Sequence, residues 1–495
     1  MTAKPITWPC VRALSRLLCV FAAGCLPAAV GAPAVLQAQT APATESDTII
    51  QSLDNLTLDQ AIAIALQESN SVWVNDAQYI KATYAEREQW ASLFPSVSIS
   101  GNYSATLKKQ VMYLDGFPGA GSMGGDASKG IEMGRTHNIQ TGVVASMPLV
   151  NASLWESIAL SKEQVLMGQA QAQASMQDLV AQVTKAFYSA LLAGESVSVL
   201  RESYTNAQEN YQSVKQKYDQ GLVAQYDLLR AESSLNSLEP TLLQAETAHA
   251  LTIKNLLILI GLSPYIPTTI SGDLDQLVAS APINPERNLD NNPTLKILER
   301  QGALAEGALK MTRYAFIPTL ALQGNYNFNF SSNQFDLDNS KLWTPYSAVA
   351  LSLQIPLFTG TKRIHTMRKA QADVLIYQLQ VDDTRRQLTL AQEQQLDQIK
   401  VSAKKIEVSR RAIETARQGY VIAVKRYDTG MGTQLEVNDA NVQLLQANLT
   451  LKQAQNELLQ AVTQMQLLRG DLLPEMTPEQ TQDRLKKVED ALKQF

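Results

Sequence analysis

Lys217-Tyr218-Asp219-Gln220-Gly221 and Arg426-Tyr427-Asp428-Thr429-Gly430 are two versions of one turn, 209 residues apart. The same offset carries Asp227 onto Glu436, Leu228 onto Val437, Ala231 onto Ala440, Leu235 onto Leu444 and Gly261 onto Gly470. A duplicated chain is the first expectation. Before each turn runs a proline-free stretch, 151–220 and 360–429, with Gly168 and Gly194 in the first and Gly419 in the second. Each reads as one helix about 100 Å long at 1.5 Å per residue. After each turn, small or apolar residues recur in steps of three and four. The first series is Leu228, Ala231, Leu235, Leu238, Leu242, Ala245, His249, Thr252, Leu256 and Leu259; the second runs from Val437 to Leu468 in the same rhythm. That is a heptad seam, so each turn joins the limbs of an antiparallel coiled-coil hairpin. Pro240 lies inside the first return limb, and a kink or break is expected there.

Outside the hairpins the period changes from heptads to two. In 96–107, Val97, Ile99, Tyr103, Ala105 and Leu107 alternate with Ser, Asn and Thr; in 138–147, Ile139, Val143, Ala145 and Met147 line one face. In 319–330 the apolar set is Leu320, Leu322, Tyr326, Phe328 and Phe330, and in 347–355 it includes Val349, Leu351, Leu353 and Ile355. Four strands follow, at about 96–107, 135–148, 318–330 and 345–356. Phe94-Pro95 and Gly101-Asn102-Tyr103 match Ile317-Pro318 and Gly324-Asn325-Tyr326 at an offset of 223, while Pro148-Leu149 matches Pro356-Leu357 at 208. The length difference between the repeats therefore lies among the strands. Runs of this length suit a tilted crossing of a bilayer, and uncharged polar faces suit a wet lumen; a soluble sandwich shares the pattern. Four strands cannot close a barrel, because about eight are needed, so a membrane barrel demands several chains. Trp343, Tyr326, Phe328, Phe330 and Tyr346 cluster around the second strand pair, as an interfacial girdle or as core packing.

The N-terminus reads as an export signal, 1–38, with Lys4, Arg12 and Arg16 at its positive end and cleavage after Ala38. A lipobox, Ala22-Ala23-Gly24-Cys25, is the alternative, with Cys25 lipidated. Cys10, Cys19 and Cys25 are the three cysteines, so removal of the segment leaves no thiol chemistry. The rest divides into a flexible segment 39–52, a first repeat 53–262, a linker or equatorial segment 263–290, a second repeat 291–470 and a C-terminal tail 471–495. A formal net charge of −5 disfavours a general nucleic-acid binder. His137, His249 and His365 are on different elements with no second ligand at metal spacing, and no catalytic or phosphate-binding motif appears. Neither a metal nor another cofactor is expected, and an enzyme is disfavoured. Composition fits long helices, since 495 residues hold only 24 Gly and 19 Pro.

Leu56-Thr57-Leu58-Asp59-Gln60-Ala61-Ile62, Leu93-Phe94-Pro95, Pro356-Leu357-Phe358-Thr359-Gly360 and the two tips occur in an order and duplication that resembles the TolC family of outer-membrane efflux and secretion channels. The resemblance covers about 53–470. It implies an α+β membrane protein: a homotrimer whose four strands per protomer form a 12-stranded β-barrel, continued by a periplasmic α-barrel of coiled-coil hairpins. It also implies a passive exit duct in a tripartite efflux or type I secretion system, with a periplasmic adaptor, an inner-membrane pump and outer-membrane lipid as partners. By position, Tyr427 resembles the tyrosine that holds the periplasmic entrance shut, and Asp227 its carboxylate partner. Glu436 and Asp439 match two acidic positions that form charged rings at the constriction. Read from the residues alone, they are also acids favoured by a helix N-terminus. Gly432 stands where the best-known member has an arginine of the gate. The tips, Gly221, Leu222, Gly430 and Met431, are the implied adaptor contact; Gly221 and Gly430 are also helix-capping glycines. A periplasmic or surface coiled-coil structural or adhesion protein is the competing reading.

Overall fold

A computed structural model describes residues 53–112, 131–473 and 478–493. The signal segment, Cys25 and the segment 39–52 lie outside the described residues. In chain order the elements are β1 (Leu53–Leu56), α1 (Leu58–Glu68), α2 (Asn70–Ala91), β2 (Ser96–Ala105), β3 (Gln110–Met112), β4 (Ile131–Met133), β5 (His137–Val150), α3 (Ala152–Asp219) and α4 (Gln225–Leu259). Then follow β6 (Thr268–Ile270), α5 (Leu274–Ser280), α6 (Pro293–Tyr314), β7 (Thr319–Ser332), β8 (Trp343–Gln354), α7 (Lys362–Asp428), α8 (Gln434–Arg469) and α9 (Pro478–Leu492). They form two units. One holds Ser92–Asn151 and Pro318–Ile355; the other holds Ile49–Ala91, Ala152–Ile317 and Pro356–Phe495.

In the strand unit, β2, β5, β7 and β8 form one antiparallel sheet in that order. Its register sorts the two predicted faces. Val97 meets Ala145, which meets Gly324, which meets Val349; Tyr103, Ile139, Phe330 and Trp343 form another row of the same face. The opposite face aligns Asn102, Gln140, Asn329 and Thr344, with Ser96 and Ser146 hydrogen-bonded at 2.9 Å. Aromatic residues divide accordingly. Tyr326 and Phe328 meet edge to face and Phe330 packs on Trp343, but Tyr346 aligns with Asn327 on the polar face and leaves the set. Much of the apolar face is bare in the protomer, with Ile99 78% and Val349 81% exposed, although Phe330 is buried. β2 and β8 are the edges of this sheet among the described residues. β3 pairs with β4 in a short antiparallel ladder between the first and second predicted strands.

The helical unit follows from the seams. α3 is 68 residues and α7 67, each unbroken. α3 packs on α4 and α7 on α8, while α6 lies against both α3 and α7. Every seam position named above in α4 is buried or half-buried. Pro240 does not split α4, which runs on from Gln225 to Leu259. Pro240 faces outward between half-buried Leu238 and Leu242, so the seam keeps its contacts although one backbone hydrogen bond is lost. Repeat symmetry extends to the caps. Gly261 and Gly470 have φ of +87° and +80°, and a Cβ there would lie 2.5 Å from the Glu68 carbonyl oxygen and 2.1 Å from that of Asn291, respectively. Only glycine fits both the left-handed backbone and that approach.

α1 begins with a capping box: Thr57 Oγ1 accepts from the Gln60 N–H, and Gln60 Oε1 accepts from that of Thr57. Its apolar side joins Val180, Val183, Phe187, Leu256 and Leu274 in one core. A second core runs along the α7–α8 seam from Leu396 and Ile399 to Leu458 and Met465. The segment read as a C-terminal tail contains α9, which packs on α2. No helix among the described residues is long and apolar enough to cross a membrane.

Candidate functional site at the hairpin tips

Both tips turn on glycine. Gly221 and Gly430 have φ of +75° and +73°. Leu222 N–H donates to the Lys217 carbonyl at 2.8 Å, and Met431 N–H to that of Arg426 at 2.9 Å, so each turn satisfies the last carbonyls of the incoming helix. Leu222 and Met431 protrude as exposed apolar side chains at the two apices. α8 then starts on a Thr433 cap, whose hydroxyl accepts from the Glu436 N–H; α4 starts at Ala224 without a side-chain cap.

Above the turns the two hairpins share a core of Val214, Ala231, Ala423, Tyr427 and Val437. Tyr427 is buried there, and its hydroxyl has no hydrogen-bond partner among the described residues. Burial first, then the charges of Asp227 and Asp428, raise its pKa above the ordinary tyrosine value, so it stays neutral. Asp227 thus acts on Tyr427 through its charge, not by accepting a hydrogen bond. Lys217 Nζ lies 4.4 Å from the centroid of the Tyr427 ring and 2.9 Å from Asp428 Oδ1.

The acidic pair is unequal. Glu436 is half-buried and lies 3.5 Å from Arg426 Nη1, while Arg426 Nη2 donates to the Met431 carbonyl at 3.1 Å. Asp439, one turn further along α8, is exposed, and no ion pair joins it among the described residues. Gly432 is packed under the turn: a Cβ would come within 3.0 Å of Arg426 Cβ and 3.1 Å of the Tyr427 nitrogen. A side chain there requires the turn to shift.

Three participants were missed from sequence: Lys217, Arg426 and Asp428. Their signal is in the duplicated motif itself, a cation before and an acid after each tyrosine. Symmetry would pair each cation with the other repeat's acid. Lys217 does so with Asp428, whereas Arg426 turns to Glu436 in its own hairpin. No cluster of His, Cys, Asp and Glu among the described residues holds a metal-binding arrangement.

A four-stranded open sheet with a largely bare apolar face, and two long coiled-coil hairpins whose tips carry a tyrosine and paired acids, set the class: an α+β protein of antiparallel strands and long helical hairpins. The chain belongs to the outer membrane efflux protein family, whose model matches residues 61–262 and 284–471. It is therefore an outer-membrane protein extending into the periplasm, of a family of channels and not of enzymes. It is 25% identical over 369 residues to protein CyaE of Bordetella pertussis, covering 71% of each chain. To outer membrane protein TolC of Vibrio cholerae it is 21% identical over 339 residues, covering 68% of this chain and 77% of the relative. Among solved structures it is similar to VceC of Vibrio cholerae, with a TM-score of 0.65 and 17% identity over 83% of this chain and 96% of the other. CmeC of Campylobacter jejuni gives a TM-score of 0.66 at 16% identity, covering 87% and 89%.

Proposed function

We propose that three copies of the chain form a passive exit duct, closed at the hairpin tips and opened when an adaptor engages them. The observation that carries this reading is the open sheet. Unpaired edges on β2 and β8 are not tolerated in lipid, where every backbone group must be satisfied. Three sheets meeting edge to edge make twelve strands, with the apolar face outward and the Ser, Asn and Gln face lining water. Apolar residues exposed along α7, such as Leu379, Leu390, Val401 and Ile422, support the same assembly, since copies packed side by side would cover them. The exposed apices Leu222 and Met431 fit an adaptor contact, and energy comes from an inner-membrane pump. The relative named "Alkaline protease secretion protein AprF" favours exported polypeptides as cargo, and the efflux family's description favours small molecules. Mass measurement of the detergent-extracted protein, with planar-bilayer recording, tests the reading. A three-chain particle of low resting conductance that opens with Tyr427→Ala is expected. A monomer without conductance rejects it.

A further inference from the structure

Resting on the reading of the tips as a gate, we infer that Lys217 is the positioning residue that latches the two hairpins together when the duct is closed. One ammonium group reaches two targets on the other hairpin: Asp428 Oδ1 at 2.9 Å and the Tyr427 ring face at 4.4 Å. Lys217 sits in the last turn of α3, and Tyr427 and Asp428 end α7, so both contacts bridge the hairpins just before the chain turns. The next ion pair between the hairpins among the described residues is Lys452 with Glu195 at 3.3 Å. Along α3 that lies about 33 Å further from the tip. Between the two, the hairpins meet through neutral groups, such as Asn441 donating to the Ser203 carbonyl and the packing around Val214.

Tyr427 does not supply the directional part of the lock, because its hydroxyl has no partner among the described residues. Arg426 does not supply it either, being committed to Glu436 and the Met431 carbonyl on its own hairpin. At Gly432 there is no side chain to reach across. That leaves Lys217, whose compact ammonium on a flexible stem can sit over a ring face and beside a carboxylate at once. The latch costs little to break because Asp428 is half in solvent, as a gate that must open repeatedly requires.

Planar-bilayer recordings of Lys217→Met, Asp428→Asn, the double variant and the charge exchange Lys217→Asp with Asp428→Lys test this. Tyr427→Ala is the reference, and each protein is first checked for an SDS-resistant, heat-modifiable assembly. Each single variant should raise resting conductance several-fold, the double variant should add nothing further, and the exchange should restore closure. Should Lys217→Met not assemble, Asp428→Asn carries the same comparison. Wild-type conductance in both single variants, with Tyr427→Ala open, overturns the latch and leaves the gate standing. Wild-type conductance in all three overturns both.

Discussion

Arg484 of α9 lies 2.5 Å from Asp76 of α2, and their side chains are only 9% and 3% exposed. Two buried opposite charges stabilise a contact mainly by being present together. Burial is the largest influence on Asp76 and raises its pKa above the ordinary value, although Arg484 pulls the other way. Asp76→Ala should therefore cost about 3–5 kcal/mol by stranding the guanidinium, while Asp76→Leu with Arg484→Leu should be close to neutral. Thermal unfolding followed by circular dichroism at pH 7 compares the two. Equal losses would mean that α9 is not docked through this pair.

Asp275 behaves in the opposite sense. Burial pushes its pKa up, but hydrogen bonds from Arg410, Gln455 and Lys452, with the charge of Lys452, bring it below the ordinary carboxylate value. Arg410 lies on α7 and Lys452 on α8, so the short helix α5 is tied to both limbs of the second hairpin. A depressed folded-state pKa adds stability above the unfolded value and loses it as pH falls through the folded one. Asp275→Asn should thus lower stability by about 1 kcal/mol from pH 7 to about pH 5, with the difference gone well below pH 4. A difference that grows on acidification would contradict the assignment.

Gly142 of β5 and Gly324 of β7 lie on opposite faces of the sheet and differ in the space around them. A Cβ on Gly142 would meet Asn327 Oδ1 at 2.1 Å and the Tyr326 carbonyl at 2.5 Å, whereas one on Gly324 meets nothing within 4 Å. Gly142→Ala should lose about 1–3 kcal/mol and Gly324→Ala almost nothing. The temperature at which the assembly dissociates in SDS is the readout, and similar shifts for both would sink the comparison.

Selectivity should rest more on Asp439 than on Glu436, because Arg426 already faces Glu436 at 3.5 Å. Reversal potentials in a KCl gradient should fall more for Asp439→Asn than for Glu436→Gln. Arg426→Gln should raise cation preference. Unchanged potentials in all three would remove the ring from the permeation path.

The fold was largely legible because its periods are long and uninterrupted. Heptads from Leu228 to Leu259 and from Val437 to Leu468 left no other packing for those limbs, and period two fixed the faces of all four strands. Tyr346 escaped because an aromatic residue next to aromatic neighbours says nothing about its own phase; the register with Asn327 does. α9 escaped because one of its anchoring contacts is the buried charge Arg484, whose partner Asp76 is 408 positions away in sequence, and the other is the single buried apolar side chain among its described residues, Val488. At the tips, position alone pointed to Tyr427 and Glu436. Their cations were hidden because Lys217 and Arg426 occupy equivalent places in the repeats yet take different partners, Asp428 and Glu436.

The two free edges of the sheet have a genetic consequence. A duct that closes only by joining each β2 to the next copy's β8 is as sound as its worst member. In the proposed three-chain ring, co-expression of a copy whose β8 edge is spoiled by proline, at equal amounts, would leave about one ring in eight free of the faulty copy. A defect that is recessive in most membrane enzymes would here be dominant, and the phenotype of a mixed population would count the chains in the ring.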